Sequence, residues 1–184
     1  MRSAAARRLA PLALLILALI PALLPALAPR MAHAGAVEEL AGLFVRACLS
    51  HAGQPAALRR WAAETRLPEV PDPARRAFLA GAAGMVFDAS TPGGKFALLS
   101  GDDGVCAAVT DHADDRETIA ALEAALREAG TTFRLVIERD DKRNPVLHHR
   151  EYLAAKGTRS WRILAATVRD GGPPGQAMLT AAPG

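Results

Sequence analysis

Two blocks of short apolar runs, each punctuated by turn residues and separated by one long amphipathic pattern, constrain this fold more than any other feature. In the first block MVFD, KFALLS and VCAAVT (85–88, 95–100 and 105–110) are separated by STPGG and GDDG. Apolar runs of this length bounded by Gly, Pro, Asp and Ser read as strands joined by tight turns. The second block, TFRLVIER, VLHHREYLA and SWRILAATV, is joined by DDKRNP and AKGT. Between the blocks lies DHADDRETIAALEAALREAG, where Ile119, Leu122, Leu126 and Ala129 share a helical face, Asp114 and Glu117 form a D-x-x-E capping pattern, and Gly130 is a stop. Ahead of the first block stand three helical patterns, VEELAGLFVRACLSHAG, PAALRRWAAETRL and ARRAFLAGA, with Pro68, Pro71 and Pro73 forcing an extended connection. Hairpins interrupted by helices, without regular strand–helix–strand alternation, specify an α+β fold with a mainly antiparallel sheet. The expected order is N-terminal helices, an antiparallel β meander, one amphipathic helix and a second antiparallel meander. After the Gly-Pro-rich GGPPG, the run AMLTA reads as a weak edge strand or a tail.

The first 34 residues read as an export signal outside the fold. Arg2, Arg7 and Arg8 form a basic start, LAPLALLILALIPALLPALAP is uncharged, and Ala32-His33-Ala34 before Gly35 matches the small-x-small cleavage pattern. The alternative is an uncleaved inner-membrane anchor over residues 9–28, and Pro11, Pro21, Pro25 and Pro29 weaken a continuous spanning helix. The domain reading is therefore a signal peptide at 1–34, one domain at 35–170, and a linker with an edge strand or tail at 171–184.

Removing the signal changes the charge. The full chain carries 22 Lys and Arg against 19 Asp and Glu; Arg2, Arg7, Arg8 and Arg30 but no acid lie in 1–34, leaving 18 against 19, a net of −1. A nucleic-acid surface would keep its basic excess on the folded domain, so nucleic acid is excluded as a partner, and no membrane association is expected after cleavage. The remaining 150 residues suit a single core.

The segment SGDDGVC (100–106) places one of two cysteines behind two aspartates. Gly101 and Gly104 flanking Asp102 and Asp103 are tight-hairpin chemistry. A calcium loop would need alternating oxygen ligands and a distal glutamate, which are missing. Serine-elbow and phosphate-loop patterns are also unmatched: Phe96 follows Lys95 where Ser or Thr is required. Cys48 lies on the apolar stripe of the first helical pattern and Cys106 in a strand, so an exported chain most simply pairs them. The alternative is a zinc site of Cys48, His51, Cys106 and His112, since Cys48 and His51 have helical i, i+3 spacing.

The segments LFVRAC, LLSGDDGVCAAV and REYLAAKGTRSWRI resemble a family of small uncharacterised exported proteins of Gram-negative bacteria. The resemblance covers most of the chain after the signal. It implies a periplasmic location and a Cys48–Cys106 pair, and it carries over no activity.

If DDKRNP and AKGT close ordinary hairpins, Arg134, Glu151 and Arg162 fall side by side on a solvated face. The opposite face then carries Phe133, Leu135 and Ile137, next to His148, Arg150 and Tyr152, next to Trp161, Ile163 and Ala165, under the helix stripe Ile119, Leu122 and Leu126. A buried guanidinium needs an acceptor. One reading is an internal pair of Arg150 with Glu123 or Asp115. The other is a binding site for an anion or carboxylate formed by His148 and Arg150, walled by Tyr152 and Trp161. No catalytic residue, metal or cofactor is assigned. Two function classes follow: a non-enzymatic envelope domain binding a small anionic ligand or another envelope protein, and a small periplasmic hydrolase or transferase whose site matches no motif.

Overall fold

The computed structural model describes residues 28–169 and 176–184, with side chains described from Gly35 onward. Most of the expected export signal (1–34) and the GGPPG linker (171–175) lie outside the described residues, and helix α1 (Ala28–Leu43) runs through the expected cleavage point between Ala34 and Gly35. The apolar stripe on this helix determines what it buries: Val37, Leu40 and Ala41 are inaccessible, and Phe44 and Cys48 continue the stripe into a π-helical stretch, Phe44–Leu49. At its end the Ser50 hydroxyl donates to the Val45 carbonyl at 3.2 Å.

Helix α2 (Pro55–Glu64) starts on a proline, whose missing N–H would have had no intrahelical partner there. The connection that follows lies along the sheet: Val70 N–H donates to Val86 and Asp88 N–H donates to Pro68. Helix α3 (Asp72–Leu79) then leads into β1 (Gly84–Asp88), β2 (Phe96–Gly101) and β3 (Cys106–Thr110). Helix α4 (Asp115–Glu128) is capped by Asp114, whose carboxylate accepts from Glu117 N–H at 2.9 Å, the partner expected from the D-x-x-E spacing. Strands β4 (Thr132–Asp140), β5 (Leu147–Lys156), β6 (Arg159–Val168) and β7 (Ala177–Pro183) complete the chain.

All seven strands form one antiparallel sheet in the order β1-β2-β3-β7-β6-β5-β4. The fold is thus α+β, with both meanders in place. The last strand corrects its expected position at an edge or in a tail: β7 sits between β3 and β6 and joins the two meanders. The physical reason is that the two meanders turn the edges of β3 and β6 toward each other, and β7 satisfies both of those rows of backbone groups at once, while β1 and β4 stay outermost in the sheet. Its residues alternate accordingly, with Ala177, Leu179 and Ala181 buried.

One face of the sheet is covered by the N-terminal helices and α4. Leu40, Phe44, Leu58, Leu98, Leu122, Leu126, Ile163 and Leu179 form a continuous buried core there. A smaller cluster, Val86, Ala97, Leu99 and Ala107, lies on the other face with Val70 and Leu79 packed against it.

The GDDG turn works by backbone geometry. Gly104 adopts φ +88, and a Cβ there would lie 2.9 Å from the Gly53 Cα. That approach lets Gly53 N–H donate to the Gly104 carbonyl, while Asp103 accepts from Val105 N–H and Asp102 pairs with Arg59 of α2. The two glycines thereby bring the end of the π-helical stretch to β3. Cys48 and Cys106 form a disulfide there, Cα atoms 5.2 Å apart and both side chains buried. With both sulfurs bonded to each other, the zinc alternative is overturned. His51 packs against Trp61 at 6.2 Å between centroids, and His112 faces Asp111 at 2.9 Å.

Candidate functional site

A single extra residue in β4 assembles the most charged part of the interior. Leu135 pairs with Tyr152, but the next partnered residue is Ile137, opposite Glu151, so Val136 is bulged out of register. Before the bulge Phe133 and Leu135 share the helix-covered face. After it Glu138 and Asp140 take that face, and Ile137 turns to the other, where it is 39% exposed. This corrects the expected inward position of Ile137. The charge ladder changes too: Arg134, Glu151 and Arg162 do share the outer face, but Leu153 lies between the two arginines, and Glu151 meets Arg162 diagonally at 4.0 Å.

The two inward carboxylates meet the β5 residues singled out above. His148 is 3% exposed; its Nδ1 lies 2.8 Å from Asp140 Oδ1 and its Nε2 3.1 Å from Glu138 Oε1. Arg150 donates through Nε to Glu138 at 2.9 Å and through Nη1 and Nη2 to both oxygens of Asp115, at 2.6 and 3.3 Å. Asp115 is the first residue of α4, delivered there by the Asp114 cap, and it also accepts from the Thr167 hydroxyl. Arg169, just past β6, reaches Asp140 at 2.9 Å and His148 Nδ1 at 3.0 Å. One ring nitrogen cannot donate to Asp140 and accept from Arg169 at the same time.

The electrostatics of the cluster follow from these contacts. Burial disfavours the Asp115 charge, but the Arg150 and Thr167 hydrogen bonds and the Arg150 charge outweigh it and hold the carboxyl below its ordinary range. Glu138 is held low first by its bond to His148 and then by Arg150. Burial likewise opposes the Arg150 charge, and the two carboxylates overcome it. Arg150 is therefore internally paired with Asp115, one of the two partners expected for it, with Glu138 as a second acceptor.

The four expected ligand-contacting residues are not gathered in one place. His148 and Arg150 share the cluster. Tyr152 is buried under α4, its hydroxyl donating to Glu123 at 3.3 Å, and burial, then the Glu123 charge, pushes its phenol up. Trp161 pairs with Ala154, six residues along β5 from His148 and so about 20 Å away along the strand. Arg159 stacks over its ring at 5.0 Å. Arg116, Glu138, Asp140 and Arg169 were not expected. For Glu138 and Asp140 the missing information is the bulge, hidden within the three consecutive apolar residues Leu135, Val136 and Ile137.

Above the cluster opens a cleft of about 330 Å³ lined by Asp115, Arg116, Arg150 and Arg169. Three guanidiniums from three different elements, α4, β5 and the end of β6, converge there. His148 cannot serve as a base for a bound nucleophile in this arrangement, because both ring nitrogens face carboxylates and the Thr167 hydroxyl donates to Asp115. Nor do Glu138 and Asp140 complete a metal site with it, since they occupy opposite nitrogens of the ring. Among the described residues no helix is long and apolar enough to cross a membrane. Comparison of the chain with protein-family models, with curated proteins and with solved structures gave no match.

Proposed function

We propose that this chain is an exported, non-enzymatic envelope domain that binds a small carboxylate or phosphate-type anion at the Arg116, Arg150 and Arg169 cleft. The observation that carries the reading is the convergence of those guanidiniums on one opening. Arg150 is fixed by its bidentate pair with Asp115, which orients the guanidinium before any ligand arrives. Arg169 is half-exposed, with a side-chain accessibility of 51%, and Arg116 is exposed, so both can reorient toward an anion. The test is calorimetric titration of succinate and of inorganic phosphate into the purified protein at low ionic strength. Saturable binding of one of them, lost in Arg116→Ala and Arg169→Ala at unchanged melting temperature, is expected. Binding that is undetectable, or equal in the variants, overturns the proposal.

The periplasm is the proposed compartment. Supporting it are the buried, oxidised Cys48–Cys106 pair, which an exported protein retains, and the basic-then-apolar start of the chain. Among the residues whose side chains are described, Ala36 and Val37 are already buried, so the core includes residues immediately after the proposed cleavage point.

A further inference from the structure

On the opposite face of the sheet, away from the arginine cleft, a groove of about 460 Å³ runs between the Pro68–Pro71 connection, α3 and the paired ends of β1, β2 and β3. Its volume falls in the range of small-molecule sites. The walls are apolar, formed chiefly by Val70, Phe78 and Val109. Phe78 is 44% exposed at this groove, whereas its neighbour Leu79 packs against the sheet. The aromatic ring is thus left on the open side of a helix whose other large apolar residue, Leu79, is already used.

The charges around this groove have one sign in excess. Glu69, Asp88 and Asp111 line it against the single Lys95, a net of −2. Asp88 and Asp111 stand at the same end of the sheet: Asp88 is in the cross-strand row with Ala97 and Val109, and Asp111 lies two residues beyond Val109. Both are kept ionised. Hydrogen bonds from Ser90 hold Asp88 below the ordinary carboxylate range, and a bond from His112 does the same for Asp111. An apolar trough ending in two ionised carboxylates complements a molecule with a greasy tail and a positive head.

We propose that this groove binds a small organic cation bearing an apolar tail, such as an alkylammonium, with the tail against Phe78, Val70 and Val109 and the ammonium at Asp88 and Asp111. The site is independent of the anion cleft, with which it shares no residue.

The experiment is calorimetric titration of octylammonium chloride, octanol and sodium octanoate into the purified protein, each below its aggregation concentration. Octylammonium binds one per chain, octanol at least about fivefold more weakly, and octanoate more weakly still, because a unit charge near the surface contributes on the order of 1 kcal/mol. Phe78→Ala, at an exposed position, and Asp111→Asn, at a half-buried one, each weaken octylammonium by about fivefold or more without lowering the melting temperature. Lys95→Gln strengthens it, and Arg169→Ala leaves it unchanged. Octanoate binding as tightly as octylammonium, no saturable binding of octylammonium, or an unchanged affinity in Phe78→Ala overturns the proposal.

Discussion

Arg150 concentrates the energetic tension of the molecule in one side chain. A guanidinium on a helix-covered sheet face is tolerated because Asp115 accepts from two of its nitrogens and Glu138 from a third. Removing it leaves the nearly buried Asp115 carboxylate with only the Thr167 hydroxyl. Arg150→Ala should therefore cost about 3 kcal/mol, the range for stripping one partner from a buried pair, read as a shift in the urea unfolding midpoint; a change under about 1 kcal/mol would show that water replaces the arginine freely. The same contacts set an acid limit on stability. Asp115 and Glu138 titrate lower in the folded chain than in the unfolded one. The stability they contribute is present above the ordinary carboxylate range, near pH 4, and is lost as pH falls through their folded values. Asp115→Asn should thus flatten the acid limb of a stability-against-pH curve measured by chemical denaturation, and an unchanged slope would place the acid sensitivity elsewhere. The sequence showed that Arg150 required an acceptor and named Asp115 as one candidate. It did not show Glu138, because that contact depends on a phase change in a different strand.

At the level of elements, what was legible and what was not divide along local and non-local information. Helices and strands were readable because periodicity, caps and glycine turns act within a few residues, as with Asp114 over Glu117 or Gly104 in its positive-φ turn. The Val136 bulge was not readable, since Leu135, Val136 and Ile137 satisfy either face equally and a slip of one residue exchanges every side chain that follows. Deleting Val136 should remove the extra residue and leave the faces as they are: Leu135 still faces in, Ile137 follows it outward, and Glu138 and Asp140 stay opposite Arg150 and His148. His148 and Arg150 would keep their acceptor contacts, so the deletion variant should retain the acid limb of the wild-type stability-against-pH curve. A deletion variant that loses this acid limb would mean that the bulge itself, rather than the phase of the residues after it, places the carboxylates. The disulfide belongs to this scale too, because it ties the π-helical stretch to β3 across 58 residues. Replacing both cysteines with serine should cost about 4 kcal/mol by the chain-entropy argument, measured by denaturation of oxidised wild type against the double variant; a loss below about 1 kcal/mol would show that the helix–strand packing alone closes this loop.

The whole molecule is held together by its last strand. Seven residues following a Gly-Pro segment, rich in alanine and with one leucine and one methionine, look locally like an edge or a tail. Their central place becomes apparent only from counting the bare edges of two meanders separated in sequence by α4. β7 pairs with β3 through Ala177–Ala181 and with β6 through Ala177–Pro183, and Ala181 stands opposite Cys106, so the strand also abuts the disulfide. The small side chains fit this position. Ala177, Leu179 and Ala181 fill the space between the helices and the sheet where larger residues on β2, β6 and α4 already occupy most of the volume. A chain ending at Arg169 would leave β3 and β6 with unpaired backbone groups facing each other across a gap one strand wide, roughly 5 Å from either neighbour. The meander of β1, β2 and β3 would remain stapled to the N-terminal helices, but it would no longer be continuous with the β4–β6 meander that carries Arg150 and His148. Such a truncation should abolish the cooperative unfolding transition monitored by far-ultraviolet circular dichroism and make the β4–β6 half readily digestible by protease, while the Cys48–Cys106 bond persists. A truncated chain that still unfolds cooperatively near the full-length midpoint would mean that the two meanders pair directly and that β7 only lies between them.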